Sequence, residues 1–314
     1  MVGPPLIQSL VLLSTRYLIV PGFLDRAESD ALLQRSKQLL EEFDLQNHPL
    51  TKFTTKDDDH VGDDYFLTSG DKIRYFLEAD AVDASGALTR PKEKAVNKIG
   101  HALHELDPAF HRVTLENPRL RALVRDLGFH KDPVVPEHND STFLVSPFFP
   151  IPSPLLPLPS PLLPSSLSPS HQAFPLSTQY TNPPSALGFW IALEKCTSSN
   201  GALSFAPGSH KTAPLTKRFV RLPQGGTGMQ RVLPVEEEQK ISEAHKGKYV
   251  LETCEPGDLV LIHGSVLHKS ERNTSPNTRF AYTFHMIESP PHATYDEKNW
   301  LQPTAEMPFS RILV

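Results

Sequence analysis

Residues 255–286, EPGDLVLIHGSVLHKSERNTSPNTRFAYTFHM, decide how the rest of the chain is read. Residues 258–263 are mostly apolar and residues 278–286 alternate, so the stretch reads as two β-strands joined by a polar turn. Side chains along a strand point to alternate faces. Arg279, Ala281, Thr283 and His285 therefore share one side, and Phe280, Tyr282 and Phe284 share the other. An arginine that begins the inward set of a buried strand needs an anion, because an unpaired buried charge is very costly. Just upstream, His268 and Ser270 are two apart and share a face. Together they suggest one pocket, with a metal at His268 and a carboxylate held by Arg279 and Ser270.

One histidine does not hold a metal, so the remaining ligands must lie elsewhere. Two histidines and a carboxylate on one face of Fe(II) leave open positions for a cosubstrate and O2. The sequence form of that set is a His and an Asp two apart, followed by a distant His. His138-Asn139-Asp140 has this form, and His268 follows 128 positions after Asp140. The triplet alone is weak evidence in a chain of 314 residues.

Its neighbours strengthen it. EHNDSTFL, SALGFWIALE, NGALSFAPGSHK, PGDLVLIHGSVLHKS and TRFAYTFH occur in that order, and together they resemble the phytanoyl-CoA dioxygenase family. DYFLTSGDKIRYFLE, NKIGHALHELDPAF and NWLQPTAEMPF narrow the resemblance to one branch of it. The resemblance spans residues 17–309 and implies a mainly β fold with flanking helices, a double-stranded β-helix of the jelly-roll, cupin-like kind. Several short strands set off by Gly and Pro turns agree with that.

It further implies Fe(II), 2-oxoglutarate and O2 as cofactor and cosubstrates, with His138, Asp140 and His268 as metal ligands. Arg279 and Ser270 take the far carboxylate of 2-oxoglutarate, Lys98 contacts the same molecule and Trp190 walls its pocket. His263 competes with His268, but His268 precedes Arg279 by 11 positions, the family's spacing. Halogenating relatives replace the carboxylate ligand, so Asp140 argues for hydroxylation with release of succinate and CO2. Without the resemblance, Trp190 reads as core packing, and Lys72, Arg74 and Lys98 as long basic side chains reaching to solvent.

Composition sets outer bounds. A formal charge of −5 gives no electrostatic footprint for nucleic acid. Two cysteines, Cys196 and Cys254, suit a reducing compartment and no disulfide framework. The opening residues MVGPPLIQSLVLLSTR, an atypical N-terminal segment (1–16), have an apolar run too short to span a membrane and no basic start. With no SKL-type ending, the expectation is a cytoplasmic protein acting on a small molecule.

Along the chain, residues 17–20 read as a strand, and Asp25 with Glu28 as a capping box opening a helix. Asp57-Asp58-Asp59-His60 reads as a solvated loop. His101 and His104, at helical spacing, read as partly buried helix histidines. Asn117-Pro118 starts a helix that ends at Gly128. His210 reads as stabilising a tight turn, and residues 211–247 as a surface excursion whose GGTG lacks the flanks of a phosphate loop.

Two anomalies interrupt the domain. Before the triplet, PVV runs directly into PEHND, so against the family pattern a strand and loop of about fifteen to twenty residues are missing. After Leu144, residues 145–179 hold ten prolines from Pro147 to Pro175, which reads as a polyproline-like loop. Deleting 145–179 restores FLYTNPPSALGFWIALE, as a retained intron would require. A genuine insert would suit an SH3 or WW partner. The rival to the enzyme is an inactive, mis-spliced or degenerate jelly roll carrying that loop. A cupin-type isomerase would leave Arg279 and Ser270 without a role.

Overall fold

The alternation around Arg279 becomes a long strand, Arg279–Glu288, inside a large antiparallel sheet. The computed structural model describes residues 12, 14–52, 64–78, 80–136, 141–145, 171–173, 176–177, 180–270 and 273–313. The sheet runs in the order Tyr17–Val20, Leu259–His263, Leu187–Ala192, Arg279–Glu288, Ser141–Val145, Val96–Gly100, Arg74–Leu77. Its register sets Ala281 opposite Ala192, Thr283 opposite Trp190 and His285 opposite Gly188.

The two faces of this sheet do different work. Phe280, Tyr282, Phe284 and Met286 join Leu187, Phe189, Ile191, Leu259 and Leu261 on the outer face, under helices. Burying one such side chain stabilises by about 1.5–3 kcal/mol. The helix Arg26–Glu42 contributes Leu32, Leu39 and Leu40, and its start carries the expected capping box between Asp25 and Glu28. Pro118–Leu127 adds Leu120, Leu123 and Val124, capped by Asn117 and ended by Gly128 at φ 57°. Thr114, in Pro108–Thr114, meets the Tyr282 hydroxyl at 2.6 Å and so pins that layer to the central strand.

The inner face is smaller and faces a second sheet. Trp190, Ala192, Val260 and Ala281 pack against Ala202, Leu203 and Phe205. The second sheet has the order Val250–Glu252, Leu203–Phe205, His268–Ser270, His171–Ala173. Two facing sheets are what the sequence suggests, but the helices make the fold mixed α/β rather than mainly β. Among the described residues no ladder joins the two sheets into a closed barrel.

Several local expectations change. Pro133–Val135, just before the point where a strand and loop read as missing, is a strand pairing with Ile287 and Glu288 and with Ser310–Arg311. Within the proline-rich stretch, His171–Ala173 pairs with His268–Ser270, and Leu176–Ser177 runs parallel to Lys217 and Arg218. Residues 170–174 contain no proline, so their N–H groups are free for a ladder. The rest of that stretch, residues 146–170 included, lies outside the described residues, as does Asp57-Asp58-Asp59-His60. The surface excursion is structured: Lys217–Arg221 and Thr227–Arg231 form a hairpin, and Val235–His245 is a helix. A buried Lys217–Glu238 pair at 2.6 Å ties hairpin to helix. No helix among the described residues is long and apolar enough to cross a membrane.

Candidate functional site

The inward residues of Arg279–Glu288 converge with the second sheet where Gly201 ends a turn. Asn200 holds that turn through Lys195 O at 2.8 Å, and Gly201 takes φ 87°, a conformation that suits glycine. Its carbonyl accepts from two side chains the sequence paired by function: Arg279 Nη1 at 2.7 Å and Ser270 Oγ at 2.7 Å. The guanidinium also lies 5.4 Å from the centre of the Trp190 ring, within cation–π range.

Arg279 is 4% exposed, and among the described residues no carboxylate pairs with it. Its Nε is buried with no hydrogen-bond partner. Burial pushes its pKa down, opposed by the two nearby thiols. A buried guanidinium with an unpartnered Nε is costly by several kcal/mol unless an anion answers it.

His268 stands on the short strand beside Phe205, and its Nδ1 lies 3.0 Å from the Val266 carbonyl. A carbonyl only accepts, so Nδ1 carries the proton and Nε2 keeps its lone pair. That is how a metal-binding imidazole is oriented by its outer neighbours. Burial lowers the His268 pKa and so favours the neutral ring, with the bond to Val266 opposing it. The other expected ligands, His138 and Asp140, lie outside the described residues. Among the described residues no three His, Cys, Asp or Glu side chains form a metal-holding group.

Lys98 sits on Val96–Gly100 and is 6% exposed, so the solvent-reaching reading fails for it. Its ammonium lies 5.9 Å from the Phe76 ring centre, and burial pushes its pKa down to about 7. Lys72 behaves as expected of a surface lysine, half exposed and paired with Asp71 at 2.5 Å. Arg74 stacks 4.4 Å from the Tyr65 ring and binds Thr68 Oγ1 at 2.9 Å.

The other histidines separate from the metal candidate. His263 is on the large sheet with a pKa pushed down to about 4 by burial and by Arg16, His210 and His130. Its Nδ1 accepts from Ser265 N–H at 3.1 Å. His210 lies in the turn Ser209–Lys211, but its buried Nδ1 makes no hydrogen bond, so the expected turn-stabilising bond is not made there. His101 is not on a helix: it follows the strand, is fully buried, and meets Ser69 Oγ at 2.8 Å. His104 is helical, in Leu103–Leu106, and fully buried too.

Sequence reasoning missed two contributors. The Gly201 carbonyl is backbone and leaves no side-chain signature. His285 was legible as inward-facing but had no role. It is packed over Gly188, where an added Cβ would stand 3.4 Å from its Nε2. Burial, then the charges of His268 and Lys98, pushes its pKa down to about 4.

The sequence profile of the family described as phytanoyl-CoA dioxygenase (PhyH) matches residues 163–281. The chain is 38% identical over 301 residues to phytanoyl-CoA dioxygenase domain-containing protein 1 of Bos taurus, covering 93% of each. Among solved structures it is similar to SnoK, a non-heme alpha ketoglutarate dependent carbocyclase from nogalamycin biosynthesis. There the TM-score is 0.55 at 14% identity, over 97% of this chain and 95% of that one. EctD from S. alaskensis, solved with 2-oxoglutarate and 5-hydroxyectoine, aligns at TM-score 0.50 and 16% identity, over 91% and 77%. At those identities the likeness is one of fold. It places this chain's two facing sheets in the same general fold as those proteins.

Proposed function

The chain belongs to the phytanoyl-CoA dioxygenase family, and from that premise we propose that it is an Fe(II)- and 2-oxoglutarate-dependent dioxygenase hydroxylating a small-molecule or acyl substrate. The observation that carries the reading is Arg279, a buried guanidinium that no carboxylate of the described chain answers. A dicarboxylate cosubstrate supplies the missing partner. A guanidinium fork suits it, because two parallel N–H donors match two carboxylate oxygens.

The residues fit the implied metal on one observation. His268 is held with its Nδ1–H on the Val266 carbonyl, so Nε2 is the atom left to donate. His138, Asp140 and His268 would hold Fe(II), the neutral imidazoles and the carboxylate suiting it. Bound Fe(II) with 2-oxoglutarate supplies the electrons that activate O2, with succinate and CO2 as products. The chain's own part is binding and orientation. Arg279 anchors the far carboxylate, Ser270 joins it by turning its one proton away from the Gly201 carbonyl, and Trp190 walls it from bulk water. Lys98, poised near neutrality, takes up a proton as a second carboxylate contact. The inward residues Ala281 and Ala192 are small and add little bulk beside Trp190 where the two sheets pack.

An anaerobic titration tests this. Purified protein should bind one Fe(II) per chain and then one 2-oxoglutarate, the second only weakly when Arg279 is replaced. Iron binding with no response to 2-oxoglutarate would remove the oxygenase reading and favour a metal isomerase.

A further inference from the structure

Cys196 and Cys254 stand directly opposite each other in an antiparallel bridge. Cys196 N–H donates to Cys254 O at 2.8 Å, and Cys254 N–H returns to Cys196 O at 3.2 Å. Residues that exchange both bonds have Cα atoms about 5.5 Å apart and side chains on one face. That separation falls inside the range of about 4.4–6.8 Å seen for disulfides, while the Cβ atoms of such a hydrogen-bonded pair stand about 5.5 Å apart and must close to roughly 3.5–4.5 Å as the link forms. Both side chains are buried in the inner cluster with Trp190, Ala202, Leu203, Phe205, Val260 and Ala281. Arg279 is the cation that acts on both thiols, and Glu194, Glu252, Glu255 and Asp258 are the acids that oppose it.

We propose that Cys196 and Cys254 are a site of oxidative modification, a dithiol that hydrogen peroxide converts to a disulfide at a rate set by whether 2-oxoglutarate occupies Arg279. The coupling rests on the reading of Arg279 as the cosubstrate clamp; the disulfide does not. We take Cys196 as the first sulfur to react, with Arg279 opposing the rise that burial gives its thiol. Its thiolate attacks one peroxide oxygen and the O–O bond breaks. A sulfenic acid remains, and the departing hydroxide takes the thiol proton and leaves as water. The Cys254 sulfur then attacks the Cys196 sulfur, the S–O bond breaks, and a second water leaves with the second proton. Two thiols and one peroxide give one disulfide and two waters, with two electrons passing from sulfur to oxygen.

Occupancy enters through charge. The Arg279 guanidinium lies over Trp190, in the cluster that holds both cysteines, so it is the cation beside the thiols, and it opposes the rise that burial gives them. A carboxylate on the guanidinium withdraws that support. The empty chain therefore oxidises, and the cosubstrate protects it.

The test uses the full chain loaded with Mn(II), treated with excess hydrogen peroxide with and without saturating 2-oxoglutarate. Non-reducing peptide mapping reads a Cys196–Cys254 link, two hydrogens lighter than the separate peptides. The expected result is a link in the empty chain, formed roughly three- to tenfold more slowly with 2-oxoglutarate, as about one pKa unit in the thiol would give. Cys254→Ser should stop at a sulfenic acid on Cys196 that dimedone traps. Arg279→Met should oxidise slowly whether or not 2-oxoglutarate is present. Peroxide that yields only sulfinic acid or links between chains overturns the modification site. A link whose rate ignores 2-oxoglutarate, in protein that calorimetry shows to bind it, overturns the coupling alone. If 2-oxoglutarate does not bind, the clamp reading fails and the coupling with it, while the link still establishes the dithiol.

Discussion

Replacing Arg279 with methionine separates a cosubstrate arginine from a structural one, because the two make opposite predictions. The guanidinium is 4% exposed, donates to Gly201 O at 2.7 Å and lies 5.4 Å from the Trp190 ring centre. Arg279→Met forfeits about 1 kcal/mol of hydrogen bond and about 1–2 kcal/mol of cation–π attraction. It also removes an uncompensated buried charge whose desolvation costs several kcal/mol. The Gly201 carbonyl stays satisfied by Ser270 Oγ at 2.7 Å. The empty protein should therefore keep its stability or gain about 1–4 kcal/mol, as happens when buried charges yield to apolar side chains. Binding of 2-oxoglutarate should lose about 2–5 kcal/mol, the penalty for truncating a desolvated charge pair. That is a Kd raised roughly thirtyfold to several-thousandfold. Arg279→Lys, lacking the fork, should fall between. Denaturant unfolding without ligand and calorimetric titration of the Mn(II)-loaded protein measure the two quantities. A variant destabilised by about 3–5 kcal/mol with unchanged affinity would refute the reasoning, because that is the signature of a broken internal ion pair.

Lys98, whose pKa falls to about 7 in the folded chain, should make stability rise with pH from 7 towards 10.5, where the unfolded lysine holds the extra proton. The slope reaches about 1.4 kcal/mol per pH unit, flattens below pH 7, and should vanish in Lys98→Met when urea unfolding is followed from pH 7 to 9. His263, pushed down to about 4, gives stability that is whole above pH 6.5 and lost as pH falls through 4. His263→Asn should abolish about 2.4 kcal/mol of that acid dependence, read from unfolding at pH 7 and pH 4.5. Gly257 has φ 93°, and a Cβ there would stand 2.3 Å from Leu24 O, so Gly257→Ala should destabilise by several kcal/mol in the same unfolding assay.

Much of this arrangement was legible because it depends on short periods. Alternation around Arg279 separates the aromatic outer face from the small inner face, and two-residue spacing puts His268 and Ser270 together. The capping box at Asp25 and the Asn117-Pro118 start are local rules that tertiary packing left intact. Lys98 was misread by residue chemistry, since a lysine's usual route to solvent is closed when its strand lies inside a sheet. His101 was misread by spacing: i, i+3 implies a shared helix face only when both residues are helical. The hairpin Lys217–Arg221 with Thr227–Arg231 was hidden by its polar residues, although Gly225 and Gly226, both at positive φ, mark its turn. The Cys196–Cys254 pairing joins residues 58 apart through backbone bonds, which no local pattern announces.

On the proposed function, His138, Asp140 and His268 would hold the Fe(II) through which 2-oxoglutarate and O2 react. The direct measurement is succinate formed by purified protein with Fe(II), 2-oxoglutarate and O2, without prime substrate, beside Asp140→Ala. Slow succinate release that the substitution abolishes is the predicted result. Equal turnover in the two proteins would contradict the ligand assignment, and an absence of succinate from protein carrying one iron per chain would contradict the oxygenase itself.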